Sequence, residues 1–415
     1  MDDIQELLHF SKRQQELASK KSERLILDLV KELMQKHKFI LIKGLRGSGK
    51  TTLLRTLLKR NEVLMTSGDF LRLKNIPLEK VLKSAKIINA KHIFIDEIHH
   101  IPSWQLNLKV FVDWVGEEHS IIVTGSSALS LTRAGDIKRR AEIINLNSLT
   151  YLEFLNHLGY KVRDISSQLY KAIFLSKNLE EIYFKLIKIE HSLPIEKIYR
   201  YFKEFKQNPL PALFETKTKE ERMRTIIYSV IEDDIPYLTD KLEARTLLKA
   251  KDILHYLSIS EKISINKLSN LAGISKDSVT KLLHLLESAG ILQTISSYGG
   301  NALKDQKKYV FTAPLMRKSV AYILENEGFE REDLFVKIVN SWRLPIYYNY
   351  KQDKGYDFVV NKHLFEIGGR SKHKKSNVIV VAEGGELSYS QNKLTIPLEM
   401  FALMEQTFHS SGKYF

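Results

Sequence analysis

Eight residues constrain this chain more than any others: Gly44 to Thr51, GLRGSGKT, fit the spacing G-x-x-x-x-G-K-[ST]. Phe39, Ile40, Leu41 and Ile42 precede them as a buried parallel strand, and TTLL beyond the lysine opens an amphipathic helix. Strand, glycine-rich loop and helix in this order make a phosphate-binding loop. Gly44, Gly47 and Gly49 let the backbone take conformations closed to other residues. Successive N–H groups along Leu45, Arg46, Ser48, Lys50, Thr51 and Thr52 then point inward at an anion. The helix that starts near Lys50 adds its positive end. Lys50 supplies a point charge for the β- and γ-phosphates of ATP, and the Thr51 hydroxyl a ligand for Mg2+. A glycine-rich turn with no ligand is the plain alternative, and the order of elements argues against it.

At 415 residues the chain is too long for one core. No run approaches the length of a membrane span, and the N-terminus MDDIQELLHF is acidic. A soluble, cytoplasmic protein without a membrane partner is expected. There is no cysteine, which excludes disulfides, thiolate zinc sites and cysteine nucleophiles. A formal net charge of +15 points to a polyanionic partner, with a basic surface kept for solubility alone as the alternative.

Residues from about Gln5 to Lys38 read as two helices, and Glu62 to Ser67 as a short strand. KHIFIDEIHHIPSW, Lys91 to Trp104, carries the next signal. Ile93, Phe94 and Ile95 form an apolar strand that ends in Asp96 and Glu97. A nucleotide hydrolase needs such a pair: Asp96 to hold magnesium, directly or through water, and Glu97 to orient and deprotonate the attacking water. After a helix over about Gln105 to Val115, SIIVTGSS gives a further buried strand with Thr124, Ser126 and Ser127 at its carboxyl end. Open α/β sheets bind ligands at that end, so a hydroxyl such as that of Ser126 is a candidate for contact with the γ-phosphate or the catalytic water.

Together IKGLRGSGKTTLL, IFIDEIHHIPSWQ, IIVTGSSALSL and KRRAEIINLNSLTYLEFL resemble the ATPase domain of a group of prokaryotic AAA+ proteins. In that group a winged helix and a C-terminal domain of restriction-endonuclease-like fold follow the ATPase. An arginine there precedes a strand leading into a P-L-S-F-x-E motif. With Leu149, Tyr151 and Glu153 aligned, and Ser148 where proline is usual, Arg140 falls on that arginine. The resemblance makes Arg140, or its neighbour Arg139, a candidate for stabilising the γ-phosphate, in its own subunit or in that of a neighbour in a ring or dimer. Glu221 to Leu238 resembles the helix that joins ATPase to winged helix, and NPLPALFE a turn that precedes it.

The expected fold class is therefore α/β: a P-loop ATPase domain over 1–160, a helical lid over 161–245, a winged helix over 246–320 and a nuclease-like domain over 321–415. The winged helix also stands on pattern, as three helices, the third capped by Ser275 and ended at Gly290, before a hairpin. From Thr246 to Val320 there are 11 Lys or Arg against 5 acids, a local charge of +6. That excess favours double-stranded DNA through Lys276 and Lys281 on the third helix and Lys304, Lys307 and Lys308 on the wing. A scaffolding winged helix facing a protein client is the alternative.

In the C-terminal block Asp357 and Glu366 stand on neighbouring strands, where nucleases of the resembled fold place two metal ligands. The lysine of an E-x-K triplet is replaced by Gly368, and an upstream glutamate by Val336. Lys362, Arg370 or Lys372 could stand in. Loss of one charge-stabilising group costs roughly 10²- to 10³-fold, so an inactive domain is expected. Three functions follow: a magnesium-dependent ATPase controlling the winged helix, a slow DNA-binding switch, and an ATP-gated nuclease.

Overall fold

The computed structural model describes residues 2–18, 24–58, 62–115, 119–126, 140–160, 162, 165–238, 243–260, 263–299, 307–321, 326–350, 355–369 and 377–406. Among these no helix is long and apolar enough to cross a membrane. They divide into two compact units, one up to residue 147 with 234–238, the other over 148–233 and 243–406.

The first unit is built on strands β1 (Phe39–Gly44), β2 (Val63–Ser67), β3 (His92–Asp96), β4 (Ser120–Ser126) and β5 (Glu142–Leu146), in the order β2-β3-β4-β1-β5 with every pairing parallel. A parallel strand covered on both faces needs an apolar side chain at each position, so the inner strands β1, β3 and β4 carry apolar runs, whereas the edge strand β5 (EIINL) leaves Asn145 exposed. Alternate residues serve two cores. Phe39, Leu41, Ile93, Ile95, Ile121 and Val123 face α1 (Asp2–Glu16), with α5 (Leu78–Ile87) and α6 (Trp104–Val115) in the same core. Ile40, Ile42, Phe94, Ile122 and Ile144 face α2 (Ile26–Lys36) and α3 (Lys50–Leu57). The sequence pattern assigns neither α4 (Gly68–Leu73) nor α5; Ser67, the last residue of β2, caps α4, its Oγ accepting from Phe70 N at 3.2 Å.

Register then gathers the strand ends. Gly44 pairs with both Ser126 and Leu146, and Ser67 with Asp96, so the phosphate loop, the β4 hydroxyls and the acidic pair share one edge.

The second unit contains α7 (Tyr151–His157), α8 (Ser166–Phe174), α9 (Leu179–Glu190), α10 (Ile195–Gln207), α11 (Lys219–Ser229), α12 (Ala244–Ile259), α13 (Ile265–Ala272), α14 (Lys276–Ser288), α15 (Pro314–Ala321), α16 (Glu327–Asn340) and α17 (Leu398–Ala402). Its strands are β6 (Leu292–Ser297), β7 (Lys308–Phe311), β8 (Ile346–Tyr348), β9 (Phe358–Val360), β10 (His363–Gly369), β11 (Ile379–Glu383), β12 (Ser388–Ser390) and β13 (Lys393–Pro397). They form one eight-stranded sheet in the order β12-β13-β11-β10-β9-β8-β6-β7. The β6–β7 hairpin joins it where Ser296 and Ser297 pair with Tyr347 and Tyr348 of β8. One core runs from Tyr151 and Phe202 through Ile295 to Phe335, Phe365 and Phe401. Residues from each of the expected segments 161–245, 246–320 and 321–415 enter this core, the middle one through Ile295 and Val310. The Leu149–Glu153 motif opens this unit: Thr150 and Glu153 make a reciprocal capping box, with Tyr151 fully buried.

Candidate active site

Gly47 and Gly49 carry φ of 82° and 96°, left-handed values that a side chain resists, and Gly49 caps α3. Lys50 follows as the first residue of α3, nearly buried at 5% exposure. Its Nζ donates to the Gly44 and Leu45 carbonyls at 3.1 and 3.4 Å and lies 3.4 Å from Glu97 Oε1. One turn places Thr51 beside β3, where its hydroxyl donates to Asp96 Oδ2 at 2.6 Å, and Thr124 on β4 donates to Asp96 Oδ1 at 2.5 Å. Burial, with the charge of Glu97 next to it, raises the Asp96 carboxyl above its ordinary value. Leu45 is buried, whereas Arg46 is half-exposed and Thr52 exposed on α3.

Glu97 sits in the left-handed region, at φ 47° and ψ 53°. For a residue with a side chain this costs about 1–3 kcal/mol, so its surroundings must impose it. Two contacts do so. The Glu97 N–H donates to Thr124 Oγ1 at 3.0 Å, and Gly68 closes on the Glu97 carbonyl so tightly that a Cβ there would lie 2.3 Å from the oxygen. The turn aims the carboxylate between Lys50 and His99, whose Nδ1 is 3.4 Å from Glu97 Oε2. Burial first, and then the His100 and Lys50 charges, push the His99 imidazole down to about 3. It is a neutral ring at neutral pH. The sequence reading gave His99 no role, although HH follows the acidic pair after a single residue, Ile98.

Ser126 is buried at the carboxyl end of β4, and its Oγ donates to Asp234 Oδ2 at 2.6 Å. Asp234 belongs to the stretch resembling a linker helix and was not singled out. Burial raises its carboxyl above the ordinary value, and Arg46, Glu97 and Lys50 all act on it electrostatically. Arg24, also unforeseen, braces the loop from behind, donating to the Ser48 carbonyl at 2.7 Å and the Asn147 carbonyl at 3.2 Å. Nothing in the local sequence flags either residue. Ser127 and Arg139 lie outside the described residues.

Arg140 is placed away from this edge. It precedes β5, whose first residue Glu142 pairs with Ile40 and whose last, Leu146, pairs with Gly44. Four strand residues span about 13 Å, so Arg140 stands at the amino end of the sheet and does not face its own phosphate loop. It pairs instead with Asp113 of α6.

In the second unit Asp357 accepts from the Ile367 N–H at 2.7 Å, and Glu366 is nearly buried. Among the described residues no three acids or histidines cluster in a way that could hold a metal. Lys362 lies in the turn before β10, four residues or about 13 Å from Glu366, so it does not replace the missing lysine. Arg370 and Lys372 lie outside the described residues. Val336 is fully buried in the core. On the hairpin, Lys308 is buried against Glu332 and lies 5.3 Å over the Phe358 ring, which removes it from the phosphate contacts expected of it. Lys276, Lys281 and Lys307 are exposed, and Lys304 lies outside the described residues.

Residues 36–155 match the AAA domain family, and residues 210–314 match a domain family of unknown function. An uncharacterized protein of Methanocaldococcus jannaschii is 29% identical over 314 residues, covering 70% of this chain and 64% of that protein. The chain therefore spans just under two thirds of that relative's length. Among solved structures, a Walker-type ATPase of Pyrococcus abyssi aligns at 11% identity and a TM-score of 0.42, covering 71% of this chain and 94% of that one. Unliganded Pif1 from a Bacteroides species aligns at 17% identity and a TM-score of 0.24, covering 39% and 48%. At those scores neither carries weight beside the sequence match. Residues 36–155 are an AAA-type ATPase domain, and the phosphate loop and the acidic pair both lie within it.

Proposed function

We propose that this chain is a magnesium-dependent ATPase whose catalytic edge is the carboxyl end of the β2-β3-β4-β1-β5 sheet. The observation that carries the reading is the convergence of Lys50, Thr51, Asp96 and Glu97 within hydrogen-bond or ion-pair reach of one another. The loop N–H groups and Lys50 hold the β- and γ-phosphates. Glu97, held by the strained turn, takes the proton of the attacking water, and His99 fixes its direction. Ser126 offers a hydroxyl where the γ-phosphate arrives.

Magnesium fits the donors present. Thr51 Oγ1 and the Asp96 carboxylate are two hard oxygens side by side, the small protein share that Mg2+ takes when it keeps waters and phosphate oxygens. When bound, it neutralises charge on the phosphates. Arg140 would serve only the nucleotide of a neighbouring copy.

For the second unit the proposal is a nucleotide-controlled binding module: a winged helix made by α12, α13, α14 and the β6–β7 hairpin, beside an inactive nuclease-like sheet. Its order of elements and the exposed Lys276 and Lys281 support DNA as the partner. ATP hydrolysis with and without double-stranded DNA at low salt tests the whole. Lys50→Ala should abolish ATP binding, whereas Glu97→Gln should keep binding and lower turnover by roughly 10²- to 10⁴-fold. Equal loss of binding in both would overturn the roles assigned, and turnover indifferent to DNA would move the partner from DNA to protein.

A further inference from the structure

Between Lys219 and Leu238 one continuous helical stretch changes its winding twice. It is an α-helix to Ser229, a π-helix over Val230–Asp234 and a 3₁₀-helix over Ile235–Leu238. Pro236 accounts for the break, since it has no N–H to donate and its ring collides with the carbonyl of an α-helical turn before it. Wide turns of this kind recur at functional positions. Here the wide turn ends at Asp234, where the chain passes from the second compact unit into the first.

The Asp234 side chain is 4% exposed and makes two contacts that matter. It accepts the Ser126 hydroxyl at 2.6 Å, and its Oδ1 lies 3.9 Å from Arg46 Nη2, an electrostatic contact longer than a hydrogen bond. Ser126 Cα is paired with Gly44, the first residue of the phosphate loop, and Arg46 belongs to that loop. Asp234 therefore points an anion at two donors that border the place where the last phosphate of a nucleoside triphosphate would lie. Lys50 and Glu97, the groups that meet the terminal phosphate and the attacking water, both act on its charge. Two anions compete for the same donors, and only a triphosphate brings the second anion.

We infer that Asp234 is the internal rival of the terminal phosphate, so that ATP must displace its carboxylate from Ser126 and Arg46 while ADP need not. The inference rests on the nucleotide-binding reading above and adds a residue that sets the ATP/ADP preference. Displacement frees the end of the π-helix at the point where the chain crosses between units, which makes Asp234 a positioning residue that reports the terminal phosphate.

The test is nucleotide affinity of the full chain in a Glu97→Gln background, with ATP and ADP titrated separately in magnesium. Asp234→Asn keeps the shape and removes the charge, and should tighten ATP by about 10-fold or more, the weight of one charged hydrogen bond, with ADP unchanged. Asp234→Ala should do the same, and a thermal melt screens each variant for folding. Ser126→Ala removes a contested donor and should reduce the effect of Asp234→Asn. Amide exchange over residues 230–238 should rise with ATP but not with ADP, and the Asp234→Asn change should erase the difference. Equal changes for both nucleotides, no change, or weaker ATP binding would overturn the inference. Failure of the unsubstituted Glu97→Gln chain to bind either nucleotide would instead overturn the reading on which it rests.

Discussion

Two strand edges in this molecule carry a pair of acids, and only one of them is surrounded by groups that give acids something to do. In the first unit Asp96 and Glu97 meet the hydroxyls of Thr51 and Thr124 and the ammonium of Lys50, each within 3.4 Å. In the second unit Asp357 is held by a backbone N–H, Glu366 has Gly368 where a lysine would stand, and Asp333 of α16 is fully buried in a bidentate pair with Arg317. The contrast is one of partners, not of acids. A carboxylate becomes chemistry when a cation, a proton carrier or a second oxygen is held beside it, and becomes architecture when the backbone or a buried arginine already satisfies it.

The largest effect that could break this comparison is catalytic. Asp357→Ala should leave ATP turnover within about twofold of the starting value, against the roughly 10²- to 10⁴-fold loss set out for Glu97→Gln. Plasmid nicking in magnesium or manganese should be absent both before and after the substitution. Nicking by the starting protein that Asp357→Ala removes would show that the second edge recruits a cation outside the acids described and would erase the distinction.

The same contrast explains what could be read from the sequence. β1, β3 and β4 were legible because strands buried on both faces have no polar alternation to confuse, and because their carboxyl ends carry GLRGSGKT, DE and TGSS. Asp234 was not, because its partner Ser126 is 108 positions away and local pattern holds no trace of that pairing. For Arg140 the motif left open whether it acts in its own subunit or a neighbour's, a choice on which only register bears, by setting it at the amino end of β5. Lys308 was misread for a related reason: counting charges along a segment does not see Glu332 folded against it. Order along the chain survives in sequence, whereas the pairing of distant charges is a product of packing.

A second test concerns stability. The folded value of His99 is pushed down to about 3, from 6.5, so between those limits the unfolded chain binds the proton and the folded chain does not. Stability is thus lost as pH falls below 6.5, by up to about 1.4 kcal/mol per pH unit. Asp96 and Asp234 are raised instead, so they bind protons in the folded state first and act in the opposite sense, from their raised values down to 3.8. The protection of the β1 and β3 amides, expressed relative to the intrinsic exchange rate at each pH, should therefore fall between pH 6.5 and 5, and His99→Asn should flatten that dependence. An unchanged slope in the variant would place the proton elsewhere.

The smallest expected effect sharpens the comparison at the surface of the second unit. The local charge of +6 over residues 246–320 counts four cations that pair with acids outside that range: Lys251 with Glu232, Lys308 with Glu332, Arg317 with Asp333 and Lys318 with Glu220. Subtracting those four leaves +2, a modest field for a polyanion. What remains useful is local, on the exposed side of α14, where Lys276 and Lys281 stand. If these touch phosphates, replacing both with glutamine should lower the slope of log affinity against log salt by about two, close to 0.9 for each contact, without changing sequence preference. An unchanged slope would mean that the basic surface of α14 does for DNA no more than Lys308 does, and that the partner of this module is a protein.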